Sequence, residues 1–203
     1  EGLGNYIKVH DFSGGSFPSL AKTKTGESAL DPGTSSFSYE MMLYVPKQST
    51  DTHNQVISQK LSQTGDHGIT LALSASASSS STVKLMMIAS SGAFYMTASV
   101  PIQKGSWKHV CGTLSRESDK HNLSLFVDAS MASTSSTQEN LGKFNFISDN
   151  MIIGSGSVHY RGAAPSFVPN QTFSGSIDEF KVWHKTRSPE ELKYSGQHPC
   201  NQE

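Results

Sequence analysis

Charge is scarce and evenly balanced in this chain: 16 Lys and Arg face 17 Asp and Glu, for a net charge of −1. A broad electrostatic attraction to nucleic acid or to an anionic membrane is therefore excluded. Long apolar runs are missing as well, and none reaches the length of a membrane span, which excludes direct insertion. The only cysteines are Cys111 and Cys200, too few for a zinc cluster and without a C-x-x-C pair. Catalytic signatures are absent too: there is no Gly-x-Ser-x-Gly elbow, no His-Glu-x-x-His pair and no phosphate-cradling glycine loop. His53, His67, His121 and His198 fall in polar stretches without ligand spacing.

What remains is a chain of 203 residues rich in Ser, Thr and Gly, with 35% hydrophobic residues. That length can bury a large core without metal or disulfides, and all-β sandwiches of this size commonly stay single, so residues 1–203 read as one domain. No signal peptide is visible, and the chain reads as a mature or excised domain with residues 193–203 as a tail.

Short strands separated by turn signals fill the sequence. Residues 37–45 set Phe37, Tyr39, Met41, Leu43 and Val45 on one face and Glu40, Met42 and Tyr44 on the other, and Pro46 ends the ladder. Further strands are expected over 6–12, 56–61, 69–73, 83–88, 94–100, 107–114, 122–128 and 151–154, with a short apolar alternation at Phe144 and Phe146. Ser/Thr-rich tracts over 74–81 and 129–140 read as loops, as do 13–35 and the Gly/Pro-rich stretch before residue 173. Burying so many half-apolar strands calls for an all-β fold of two packed antiparallel sheets.

Residues 173–192 are the most informative stretch. Gly175 supplies a tight turn, and Ile177, Phe180, Val182 and Trp183 favour a strand. Ser188-Pro189-Glu190-Glu191 then reads as a helix start, with Ser188 as N-cap, Pro189 at N1 and Glu191 as the N3 carboxylate of a capping box, giving one short helical turn.

The order of these pieces resembles a known family. Gly-Asn-Tyr-Ile-Lys-Val, Phe-Ser-Tyr-Glu-Met-Met-Leu-Tyr-Val, Trp-Lys-His-Val-Cys-Gly-Thr, Leu-Ser-Leu-Phe-Val-Asp, Met-Ile-Ile-Gly and Phe-Ser-Gly-Ser-Ile-Asp-Glu-Phe-Lys-Val-Trp follow one another from Tyr6 to Leu192. The pattern is similar to the laminin-G-like, concanavalin A-like jelly roll of pentraxins and extracellular adhesion modules. Met42 stands where such modules often carry tryptophan, and Ala129 where glycine usually makes the turn. The resemblance implies a jelly-roll sandwich that binds glycans or proteins at the cell surface, often with a calcium ion at its rim. It fixes no ligand, because fold does not fix function.

Candidate site residues follow. Asp178 is read either as a calcium ligand or as a fastener of backbone amides, and Glu179, on the opposite face of a regular strand, as a fastener. Asp11, Asp128 and Asp149 with Asn150 are further oxygen donors at strand ends, where turn formation is the commoner role. A glycan needs an exposed aromatic beside planar hydrogen-bonding groups, and Tyr160 with Arg161, in a Gly-rich loop, is the leading pair. Tyr44 and Tyr95 are further aromatic candidates, whereas Trp107 and Trp183 are expected in the core. Cys111 and Cys200 form either one disulfide or two free thiols. Asn122 and Asn170 head N-glycosylation sequons. The strand 37–45 offers only Glu40 as an acid, short of the facing carboxylates that glycoside hydrolysis requires. The expectation is therefore a non-catalytic extracellular module recognising glycans, with calcium as the implied cofactor. The alternative is a protein–protein adhesion or spacer module of a larger ectodomain.

Overall fold

A computed structural model describes residues 6–9, 30–47, 53–75, 81–92, 94–116, 120–138, 140–144 and 150–197. Asp11, Phe146, Asp149, His198 and Cys200 lie outside the described residues.

Two sheets pack face to face. One carries β14 (Ser176–Trp183), β2 (Phe37–Tyr44), β7 (Trp107–Ser115), β8 (His121–Val127) and β9 (Ser130–Thr137) in that spatial order. The other runs β1 (Ile7–Val9), β10 (Met151–Ile153), β3 (Gln55–Leu61), β4 (His67–Ser74), β5 (Thr82–Ser91) and β6 (Phe94–Gln103), all antiparallel. Its seventh strand, β13 (Gln171–Thr172), is parallel to β3. The odd residues of β2 and Ile57, Ile69, Leu71, Leu73, Leu85 and Met87 of the facing sheet fill the space between them. The expected two-faced reading of residues 37–45 thus holds, and the architecture is the anticipated antiparallel sandwich.

β14 shows how a broken alternation is accommodated. Ile177, Phe180 and Val182 all pack on the core, yet they do not share one parity. The ladder to β2 slips by one residue between Asp178 and Lys181, with Glu179 at φ +52°. That extra residue rotates Phe180 and Val182 back inward. Gly175 is required just before it, since a Cβ there would lie 2.4 Å from the Tyr44 carbonyl oxygen.

Three expectations are corrected. The Ser/Thr tract after Ala129 is the strand β9, not a loop. Asp128 and Ala129 both take positive φ, 50° and 62°, as in a two-residue hairpin turn, and β9 then pairs along β8. The stretch before residue 173 contains a hairpin, β11 (His159–Arg161) with β12 (Ala164–Phe167). Trp107 and Trp183 are not core residues: Trp107 is 47% exposed, and Trp183 pairs across from Ser38 on the outward face of β2.

The helix α1 (Pro189–Gln197) is longer than the single turn expected, at 9 residues, and lies on the outer face of the five-stranded sheet, where Leu192 packs on Cys111 and Phe126. Its capping box forms as read: the Glu191 amide donates to Ser188 Oγ at 3.2 Å, and the Ser188 amide donates to Glu191 Oε2 at 3.0 Å. Replacing Ser188 by Ala should cost about 1 kcal/mol, read as a lower urea midpoint with an unchanged slope.

Candidate functional site

The β11–β12 hairpin lies against the outer face of the seven-stranded sheet, and two side chains anchor it. Phe167 packs with Val56, Ala72 and Ile88, which point away from the main core. His159, fully buried, sits between Thr70 of β4 and Ser90 of β5: Nδ1 is 2.8 Å from Thr70 Oγ1 and Nε2 is 2.5 Å from Ser90 Oγ.

The partners of those hydroxyls fix the direction of every hydrogen bond. Gln59 Nε2 donates to Thr70 Oγ1 at 3.0 Å, and in the neutral ring that burial favours, with its one proton on Nε2, the Thr70 hydroxyl donates onward to His159 Nδ1. Ser90 Oγ gives its proton to the Asp66 carbonyl at 2.7 Å and accepts from His159 Nε2–H. The ring is therefore a neutral tautomer protonated on Nε2. Burial pushes its pKa down to about 4, against a smaller upward pull from Asp66.

This anchor holds a platform. The Tyr95 ring stands edge-on to His159 at 6.1 Å, and the Arg161 guanidinium lies over Tyr95 at 5.7 Å. Tyr160 packs against Gly65, and its amide donates to the Gly65 carbonyl at 2.8 Å. The Gly162 amide donates to the Gly92 carbonyl at 3.0 Å, tying the hairpin tip to the β5–β6 turn. Asp66, in the neighbouring β3–β4 turn, accepts from Ser90 Oγ and the Gly92 amide through its carbonyl, and its carboxyl is held below the usual range by hydrogen bonds from Thr64 and His67. Tyr95 and Tyr160 are half-buried and Arg161 is exposed. A half-exposed aromatic ring of β6 and a guanidinium fork are thus brought together at a hairpin fixed from below.

Of the residues singled out in the sequence, Tyr160 and Arg161 are brought together here, and Tyr95 joins them. Tyr44 does not: it lies on the five-stranded sheet, 5.6 Å from the Trp107 ring. His159 and its hydroxyl partners were missed, because residues 70, 90 and 159 carry no local motif; only the placement of His159 beside Tyr160 hinted at them.

Asp178 is exposed, and its Oδ1 accepts the Glu179 amide at 2.8 Å. Glu179 in turn pairs with Lys181 Nζ at 2.9 Å. Among the described residues no group of three His, Cys, Asp or Glu suited to a metal occurs; Asp178 is seen accepting an amide and Glu179 pairing with Lys181, as fasteners do. The β14 bulge also removes the expected opposition of the two, since both border one groove. Asp128 is a turn residue, paired with Lys108 at 2.7 Å. Cys111 is a free, buried thiol under α1, pushed up in pKa by burial and by the Glu40 charge, and Cys200 is outside the described residues. Asn122 is half-buried in β8, whereas Asn170 is exposed with its Oδ1 accepting the Asn54 amide at 2.8 Å.

A family model described as the concanavalin A-like lectin/glucanases superfamily matches residues 17–193. No curated protein matches significantly. Among solved structures, a heptameric SAP-like pentraxin from Limulus polyphemus is similar at 18% identity and a TM-score of 0.56, over 84% of this chain and 73% of that one. A structure of botulinum neurotoxin type C, described as dependent on two ganglioside molecules for cell entry, is similar at 13% identity and a TM-score of 0.54, over 79% of this chain. The binding domain of botulinum neurotoxin DC in complex with rat synaptotagmin II is similar at 12% identity and a TM-score of 0.55, also over 79%. This chain spans only 35% of the length of each of these two toxin chains. At such identities the likeness is one of fold.

Proposed function

Because the chain belongs to the concanavalin A-like lectin/glucanases superfamily, we propose that it is a non-catalytic recognition module that binds glycans through the Tyr95–Tyr160–Arg161 platform. The observation that carries this reading is the Arg161 guanidinium stacked over a half-exposed Tyr95 ring on a hairpin locked by His159. A sugar can pack its apolar side on the exposed parts of the Tyr95 and Tyr160 rings while its hydroxyls meet the exposed Arg161 guanidinium. Because the hairpin is anchored before ligand arrives, little ordering entropy opposes binding. The similarity to a ganglioside-dependent toxin is consistent with a glycan partner.

Catalysis has no support. Glu40, the one acid of β2, is buried beneath α1 and bound by His109 at 3.1 Å and Arg187 at 3.1 Å. This reading does not call on calcium, since Asp178 and Glu179 belong to β14 of the five-stranded sheet, away from the platform. An extracellular or cell-surface setting accords with the exposed Asn170 sequon.

On a glycan array, the protein should bind a defined subset of sugars, with signals unchanged by a calcium chelator. Tyr95→Ala and Arg161→Ala should each weaken that binding by at least about tenfold, the loss of ~1.4 kcal/mol expected for one stacking or charged contact. Binding that survives both substitutions, or that vanishes with chelator, would sink this assignment.

A second reading, protein–protein adhesion, is favoured by the exposed Trp107 ring next to Tyr44 on the other sheet. It resembles an interface anchor. Loss of partner binding in Trp107→Ala with glycan binding intact would support it.

A further inference from the structure

A cavity of about 630 Å³ opens between α1 and the outer face of the five-stranded sheet, away from the platform just described. Its walls are Met42, Leu192 and the Asp128–Ser130 turn, with Glu190 and Lys193 from α1. The volume falls in the usual range for a small organic ligand.

His109 lines it, with a side chain only 8% exposed. Its Nε2 lies 3.1 Å from Glu40 Oε1, and Glu40 is ionised: burial alone would raise its pKa, but hydrogen bonds from His109 and Ser195 and the Arg187 charge bring it down to about 2. A carboxylate only accepts, so Nε2 carries the proton, and in the neutral ring Nδ1 is left as a bare acceptor. Among the described residues Nδ1 meets no hydrogen-bonding group.

The helix residue facing that nitrogen is Gly196. A Cβ there would sit 3.3 Å from Nδ1, closing the space in front of it. Gly196 is the penultimate residue of α1, so the opening lies at the C-terminal end of the helix. Asp128 is engaged at both oxygens, by Lys108 at 2.7 Å and by the His109 amide at 3.2 Å, so Glu190 is the carboxylate of the wall not held in such a pair. Besides His109, Lys193 and the Ser130 hydroxyl supply the side-chain donors among the described wall residues.

We propose that this cavity binds a small organic ammonium with an apolar body. The ammonium donates to His109 Nδ1 with the Glu190 carboxylate on the same wall, while the body packs on Met42. An anion of the same shape brings no proton to the Nδ1 lone pair and is rejected at that point.

Phenethylamine is a suitable probe, titrated at pH 8 with the full chain, with phenylacetate as its anionic counterpart. Heat of binding and the His109 ring resonances are both followed. Saturable binding of the amine, with a shifted His109 signal and no binding of phenylacetate, is expected. Gly196→Ala should weaken amine binding by roughly tenfold, because its Cβ at 3.3 Å from Nδ1 occupies the approach to the ring; circular dichroism of the variant checks that the fold is kept. The assignment is overturned if the amine does not saturate, if phenylacetate binds equally well, or if Gly196→Ala binds as the parent does.

Discussion

Lowering the pH from 7 to 4 is expected to remove on the order of 3 kcal/mol of folding stability through His159 alone. The imidazole titrates near 6.5 when unfolded and at about 4 in the folded chain. Below pH 6.5 the unfolded state therefore takes up a proton that the folded state refuses, and stability falls with pH until the folded ring is protonated too. The full benefit is present above pH 6.5 and gone by about pH 4, at ~1.4 kcal/mol for each pH unit between the two titrations. Asp66, the acid that faces the ring, has its own pKa lowered from 3.8 and so stays ionised across this window. The physical cause is the directed chain Gln59–Thr70–His159–Ser90: a proton on Nδ1 would remove the acceptor of the Thr70 hydroxyl inside a buried site. Urea midpoints at pH 7, 5.5 and 4.5 measure the slope. His159→Gln should flatten it, since an amide does not titrate here; an equally steep slope in that variant would refute the assignment. Because His159 anchors the hairpin, glycan binding should fade over the same range.

Removing the Glu40 carboxylate is expected to be as damaging at neutral pH. Glu40 is 1% exposed and joins His109 to Arg187, which itself reaches Ser195 Oγ at 2.7 Å and lies over the Trp183 ring at 4.3 Å. This one acid thus ties β2, β7 and α1 together on the outer face of the sheet. Glu40→Ala removes the buried counter-ion of Arg187 and leaves it only the part-exposed Glu191 carboxylate at 3.3 Å, so the cost should fall near the low end of the about 3–5 kcal/mol typical for breaking a buried pair. Its pH dependence differs from that of His159. A carboxylate with a depressed pKa stabilises above its unfolded value, here 4.5, and that contribution is lost as pH falls toward about 2. Denaturation of Glu40→Ala should therefore show a lower midpoint at pH 7 and a flatter profile below pH 4.5. A midpoint within ~0.5 kcal/mol of the parent would show that the network carries no net stability.

Periodicity made the sandwich legible. The strict alternation of residues 37–45 and the Ser188–Glu191 box have local causes, and both form as their residues dictate. β9 was not legible because Ser and Thr signal a loop by composition, while its pairing depends on a turn in which Asp128 and Ala129 take positive φ. β14 hid its bulge in an apolar pattern that changes parity after Ile177. The tryptophans misled because size favours burial in general, yet Trp183 is covered by Arg187, just ahead of α1, and Trp107 lies at a strand end. Within the site, the pair of half-buried Tyr160 and exposed Arg161 could be read from its glycine-rich setting. The His159 anchor joins residues far apart in sequence, and only the folded sheet brings them into contact.

The central claim is that glycans bind at the β11–β12 platform. Its most direct test is a backbone and side-chain NMR titration with the strongest array ligand. Saturable shifts clustered on Tyr95, Tyr160 and Arg161, with Tyr44 and Trp107 unmoved, are the predicted result. Shifts clustered on Tyr44 and Trp107, or none anywhere for any sugar, would contradict it.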